Sequence, residues 1–278
     1  MSQRSRIDRD EIRDRETRER RPPKKTVFPK SASLLPDYLP ATDRPGAMRA
    51  LLRWTWRLAL LALIAITLIQ FWFAVHIGYW SSHDPEMTAF MASRLEKLRE
   101  KNPRATLSHQ WVPYQRISVH LKRAIVAAED AKFLDHGGFD WEAMQKAYEK
   151  NLLKGKVVAG GSTISQQLAK NLFLSSDRSW WRKSQEAVIT LMIETIMTKR
   201  RILEIYLNVI EWGDGVFGAD AAARYHYGVT AGSLSAGQAA RLAAMVPSPR
   251  RYGPGRNTAY LQRRTDIILG RMAAARVP

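Results

Sequence analysis

From Leu58 to Val75 the chain runs for 18 residues without a charge, and Thr67 and Gln70 are its only polar side chains. Extended through Ile77, the run reaches 20 residues. That is enough for a helix to cross a hydrocarbon core of about 30 Å while satisfying its own backbone groups. Trp54, Trp56, Trp72, Tyr79 and Trp80 cluster near its ends, as interfacial aromatics do. A cleaved leader is the poorer reading, because 57 residues precede the run and it is longer than a leader core. Residues 54–78 are therefore expected to be a single-pass transmembrane anchor. Residues 38–57 carry Arg44, Arg49, Arg53 and Arg57, whereas residues 76–95 carry only Arg94. The excess of arginine places the N-terminus in the cytoplasm and everything after the span outside.

Charge narrows the partners. The formal net charge is +18, and residues 76–278 hold 29 Lys and Arg against 18 Asp and Glu. Such a surplus suits membrane headgroups, a phosphorylated substrate or nucleic acid. The extracytoplasmic placement and the lack of any nucleic-acid motif argue against the last. With no cysteine, disulfides, thiolate nucleophiles and Cys-ligated metals are excluded.

Residues 1–30 alternate Arg with Asp and Glu, and residues 31–50 hold Pro36, Pro40 and Pro45. Residues 1–50 thus read as a disordered basic tail and linker. Residues 81–115 read as a connector with one short helix around Met87–Glu100. Residues 116–278 read as the main domain, mainly α, with no alternating strand pattern. Leu121, Ala124, Ile125 and Ala128 share one helical face behind an N-cap at Ser118. Further helices are expected at about Trp141–Lys154 (stopping at Gly155), from Thr163 with a Thr163/Gln166 capping box, and at Trp180–Met197. Others follow at Ile202–Val209, Ala219–His226, Ser235–Met245 and Thr258–Ala274.

Four stretches carry candidate chemistry. Glu129, at the edge of the first apolar face, suits a base with a raised pKa; alone, a solvated helix-end carboxylate is the blander reading. His136, among glycines, reads as structural rather than as a metal ligand. Gly160 to Gln167 lead glycines into a capped helix, a ready anion site, with Lys170 one turn on. Arg182 and Lys183 lie one turn before Glu186, which reads either as exposed ion pairs or as a carboxylate held among phosphate-binding cations. Trp180 and Trp181 suit either a core or a membrane interface. Ile202, Ile205, Tyr206 and Val209 read as core, and Lys199–Arg201 as a solvated helix end.

Together, in order and spacing, these stretches resemble the glycosyltransferase domain of the peptidoglycan polymerases, also found in class A penicillin-binding proteins. Glu129, Asp130, Phe133, His136 and Gly138 match its first motif, and Gly161 to Gln167 its second. Arg182, Lys183 and Glu186 match the third, Ile202 to Asn208 the fourth, and Arg264 with Ile268 and Leu269 the fifth. With no Ser-x-x-Lys or Lys-Thr-Gly present, the chain resembles the monofunctional transglycosylases of that family.

The resemblance implies a lysozyme-like α-helical domain behind one N-terminal transmembrane helix, in the bacterial inner membrane, with the catalytic domain periplasmic. It implies polymerisation of lipid II into β-1,4-linked glycan with release of undecaprenyl diphosphate and inversion at the donor carbon. Glu129 would be the general base and Glu186 the second catalytic glutamate. Asp130, Phe133, His136, Ser162, Thr163, Gln166, Gln167, Lys170, Arg178, Arg182 and Lys183 would bind substrate. Gln185 stands where some relatives have Lys. No protein-held metal is implied; Mg²⁺ would only accompany the substrate diphosphate. Partners would be lipid II, the growing glycan on undecaprenyl diphosphate, membrane lipids, and divisome or other cell-wall synthesis proteins. The rival readings are a lysozyme-like lytic enzyme and an inactive wall-binding scaffold.

Overall fold

A computed structural model describes residues 45–156, 158, 160–174 and 179–278. Of the tail and linker expected over residues 1–50, residues 1–44 lie outside the described residues, as does Arg178, while residues 45–50 are helical rather than linker. The chain divides into two compact units, residues 1–61 and 62–278. The first contributes the start of helix α1 (Pro45–Trp80), where Arg57 stacks over the Trp54 ring at 5.3 Å. The stretch Met48–Trp80 is long and apolar enough to cross a membrane and fits a single-pass anchor.

In the second unit, the last turns of α1 are not bare. Phe73 and Ile77 are buried, and Trp72, Phe73 and Trp80 pack around Phe173. Gln70 Nε2 donates to Gln185 Oε1 at 3.0 Å, linking the end of α1 to the main domain. The connector is also built in. Its helix α2 (Ala89–Arg99) starts at an N-cap from Thr88 and buries Met91.

Among the described residues, eight further helices make up the main domain: α3 (Val119–Glu129), α4 (Trp141–Lys154), α5 (Ile164–Phe173), α6 (Trp180–Ile196), α7 (Lys199–Val209), α8 (Ala219–Tyr227), α9 (Ala236–Met245) and α10 (Ala259–Arg271). Ser118 caps α3 as expected, and α4 stops at Gly155 in a left-handed turn. The core centres on α7, whose Ile202, Leu203, Ile205, Tyr206, Leu207 and Val209 are all fully buried. Alanine-rich α9 lies against α3 and α10, since small side chains let helices approach closely. α5 packs between α6 and α7.

Among the described residues, three short strands stand where no alternating pattern announces them: β1 (Ser108–His109), β2 (Glu211–Gly213) and β3 (Val216–Phe217), ordered β1-β3-β2. Two or three residues are too short for a period of two to register. Buried Asn208 pins the incoming chain, accepting from Val112 N at 2.8 Å and donating to Val112 O at 2.9 Å. Gly218, at φ +84°, approaches this residue so closely that a Cβ would lie 2.8 Å from Asn208 O.

The Lys199–Arg201 run is not a solvated helix end. Arg201 donates to Trp80 O (3.0 Å), His83 O (2.6 Å), Asp84 and Glu204, tying α7 to the end of α1. Lys199 donates to His136 O and pairs with Glu194. Trp180 and Trp181 are not core: on α6 they stand exposed, Trp180 at 91%, as Trp141 and Leu153 do on α4.

Candidate active site

The first two motifs interlock where α3 ends and α5 begins. Asp130 Oδ2 accepts from Ile164 N at 3.0 Å, at the positive end of α5. Its Oδ1 meets His136 Nε2 at 2.9 Å. His136 Nδ1 accepts from Gly138 N at 3.1 Å, so the ring proton sits on Nε2. Thr163 donates to Gly138 O at 2.7 Å and caps α5, while Gln166 Oε1 accepts from Thr163 N, completing the expected capping box. Gly138 has φ +99°, and a Cβ there would lie 2.9 Å from Thr190 Cγ2. Asp130, His136, Thr163 and Gln166 are thus taken up with one another. Phe133 is fully buried beneath the Lys199 ammonium, 4.6 Å from its ring.

This lattice delivers Glu129 to the end of α3. Its side chain is only 11% exposed. Gln167 Nε2 donates to Oε2 at 2.9 Å, and the Tyr206 hydroxyl donates to Gln167 Oε1 at 2.8 Å. Arg264 Nη2 lies 3.5 Å from Oε1, which has no hydrogen-bond partner among the described residues. Burial pushes the Glu129 carboxyl above its usual range. The Gln167 hydrogen bond and Arg264 oppose that shift, Asp130 adds to it, and burial dominates. Burial, with the charges of Glu129 and Asp130, lifts the Tyr206 phenol well above its ordinary value.

The two partners of the Glu129–Gln167 hydrogen bond line different cavities. Glu129 lines one of about 280 Å³, with Lys132, Lys146, Ser162 and Arg271 on its walls. Gln167 lines the other, of about 450 Å³, with Lys170, Arg182, Glu211 and Arg250. The expected diphosphate set therefore divides: Ser162 and Thr163 lie on the first cavity, and Gln167, Lys170 and Arg182 on the second. Glu186 is buried, accepting from Arg182 Nη1 at 2.9 Å and from Lys183 Nζ, so these are not exposed helix pairs. Glu211, raised by burial against the pull of Gly215 N–H, Arg250 and Arg94, is a site carboxylate with no sequence signal beyond its type. Arg264 is quoted in the fifth motif but carries no role there, and Tyr206 reads simply as core. Among the described residues, no group of three or more His, Asp or Glu is placed to hold a metal ion.

The site thus joins a buried carboxylate, through Gln167, to a basic cavity on an α-helical scaffold. Residues 94–273 match the family described as transglycosylase, so the chain belongs to that family and is a glycosyl-transferring enzyme. It is 64% identical over 226 residues to the biosynthetic peptidoglycan transglycosylase of Nitrosospira multiformis, covering 81% of this chain and 98% of that protein. The proteins of the same description from Methylobacillus flagellatus and Herminiimonas arsenicoxydans are 62% and 60% identical, over 80% and 83% of this chain and 97% and 99% of their own lengths.

Proposed function

We propose that this enzyme polymerises lipid II into β-1,4-linked glycan strands, with Glu129 as the general base. The observation that carries the reading is a buried carboxylate hydrogen-bonded to Gln167, which itself lines a cavity walled by Lys170, Arg182 and Arg250. Glu129 takes the proton from the acceptor's 4-hydroxyl as that oxygen bonds to the donor's anomeric carbon. The bond from that carbon to the diphosphate breaks, and undecaprenyl diphosphate leaves with the electron pair. Attack opposite the leaving group inverts the carbon. Negative charge grows on the leaving oxygen, where preplaced cations stabilise it most. Glu186 holds Arg182, and Lys183 beside it, in position for that task.

A lytic enzyme would also use a glutamate, but cleaving a glycosidic bond within a polymer releases no diphosphate for the basic cavity to hold. A single-pass anchor supports the reading, since it would keep the site close to a lipid-linked substrate. The arginines before the span support a cytoplasmic N-terminus and a domain outside the inner membrane. The exposed tryptophans of α4 and α6 suit contact with membrane lipid. The test is incubation of the full chain with labelled lipid II. Long glycan supports the reading, while shortening of added polymer without synthesis supports the lytic one.

A further inference from the structure

Gln167 is held at both ends of its amide, by a glutamate on α3 and a tyrosine on α7. An amide carries its acceptor at one end and its donors at the other, so a fixed donor at one end decides what the other presents. Tyr206 is such a donor. It is fully buried in the rigid core, and its phenol keeps its proton. Reversing the amide would set the Gln167 carbonyl against a Glu129 oxygen at 2.9 Å, acceptor against acceptor. Nothing in the helical pattern signals this, because Tyr206 belongs to the buried stripe of α7 whatever its hydroxyl does.

We propose that Tyr206 is a positioning residue for glycosyl transfer, acting through Gln167 to aim the Glu129 carboxylate and keep it ionised at working pH. The proposal rests on the reading of Glu129 as the base. The chain Tyr206 to Gln167 to Glu129 is directional: each member donates to the next, and the charged end is the one that benefits. Gln167 also lines the basic cavity, so the same amide stands between the base and the place proposed for the diphosphate.

The experiment is the pH profile of kcat for the full chain turning over lipid II, with Tyr206→Phe, Gln167→Met and the double variant. Tyr206→Phe keeps the ring that fills the core and removes only the hydroxyl. The acid limb of kcat should move up by about half to one pH unit, with activity recovering at high pH and KM near that of the parent. Gln167→Met, which cuts the link from the other end, should move the limb at least as far. It also serves if Tyr206→Phe folds poorly. Adding Tyr206→Phe to Gln167→Met should change the limb no further, because the hydroxyl then has nothing to act through. A Tyr206→Phe profile lowered equally at every pH, or additive shifts in the double variant, would overturn the proposal. Turnover surviving in Glu129→Gln would instead overturn the base assignment on which it stands.

Discussion

The Arg264 guanidinium, from α10, stands 3.5 Å from the Oε1 atom of Glu129 at the end of α3. Its charge opposes the upward shift that burial imposes on that carboxyl. Replacing Arg264 with Gln removes a charge that favours the ionised form, so the base's pKa should rise further. Activity should fall several-fold at neutral pH and recover as the pH is raised. A profile parallel to that of the parent would separate Arg264 from the base.

Glu129 should also weigh on stability. Its folded pKa is raised, so between its unfolded and folded values the native state binds the extra proton. Stability is then highest at low pH and falls as pH rises through the folded value. Glu129→Gln removes that burden, and its melting temperature at neutral pH should exceed the parent's by about 2–4 °C for each kcal/mol released. Scanning calorimetry at two pH values checks both the gain and its shrinkage in acid.

Asp130 matters to stability through its hydrogen bonds. Both of its oxygens receive N–H groups, from His136 and from Ile164. Asp130→Asn must turn an N–H₂ toward one of those donors. The expected loss is about 2–3 kcal/mol, roughly 5–10 °C in melting temperature. An unchanged melting temperature with lost activity would move Asp130 from holding α5 to contacting substrate.

These residues show what the sequence could and could not disclose. The ends of α4 and the capping box of α5 were legible, because glycine stops and Thr-x-x-Gln spacing act locally. Glu129 was legible as a carboxylate on the edge of an apolar face. Its environment was not, because Arg264 and Tyr206 reach it from helices far along the chain. Arg201 looked like one of three solvated bases, yet it fastens the end of α1. Strands of two or three residues, pairing Ser108 with Val216, leave no periodic trace at all.

Glu186 is enclosed by Arg182 and Lys183, and Arg182 reaches the basic cavity. Glu186→Gln should free both cations from their fixed positions. Turnover is expected to drop by about tenfold or more, the equivalent of roughly 1.4 kcal/mol, with weaker inhibition by inorganic pyrophosphate. Normal turnover would leave the cluster as a structural ion pair.

The most direct measurement is polymerisation of purified lipid II by Glu129→Gln, a variant that keeps the side chain's shape and Arg264 beside it. The account predicts a folded protein that still binds the lipid diphosphate but makes no glycan at any pH. Glycan of normal length at a normal rate would contradict it.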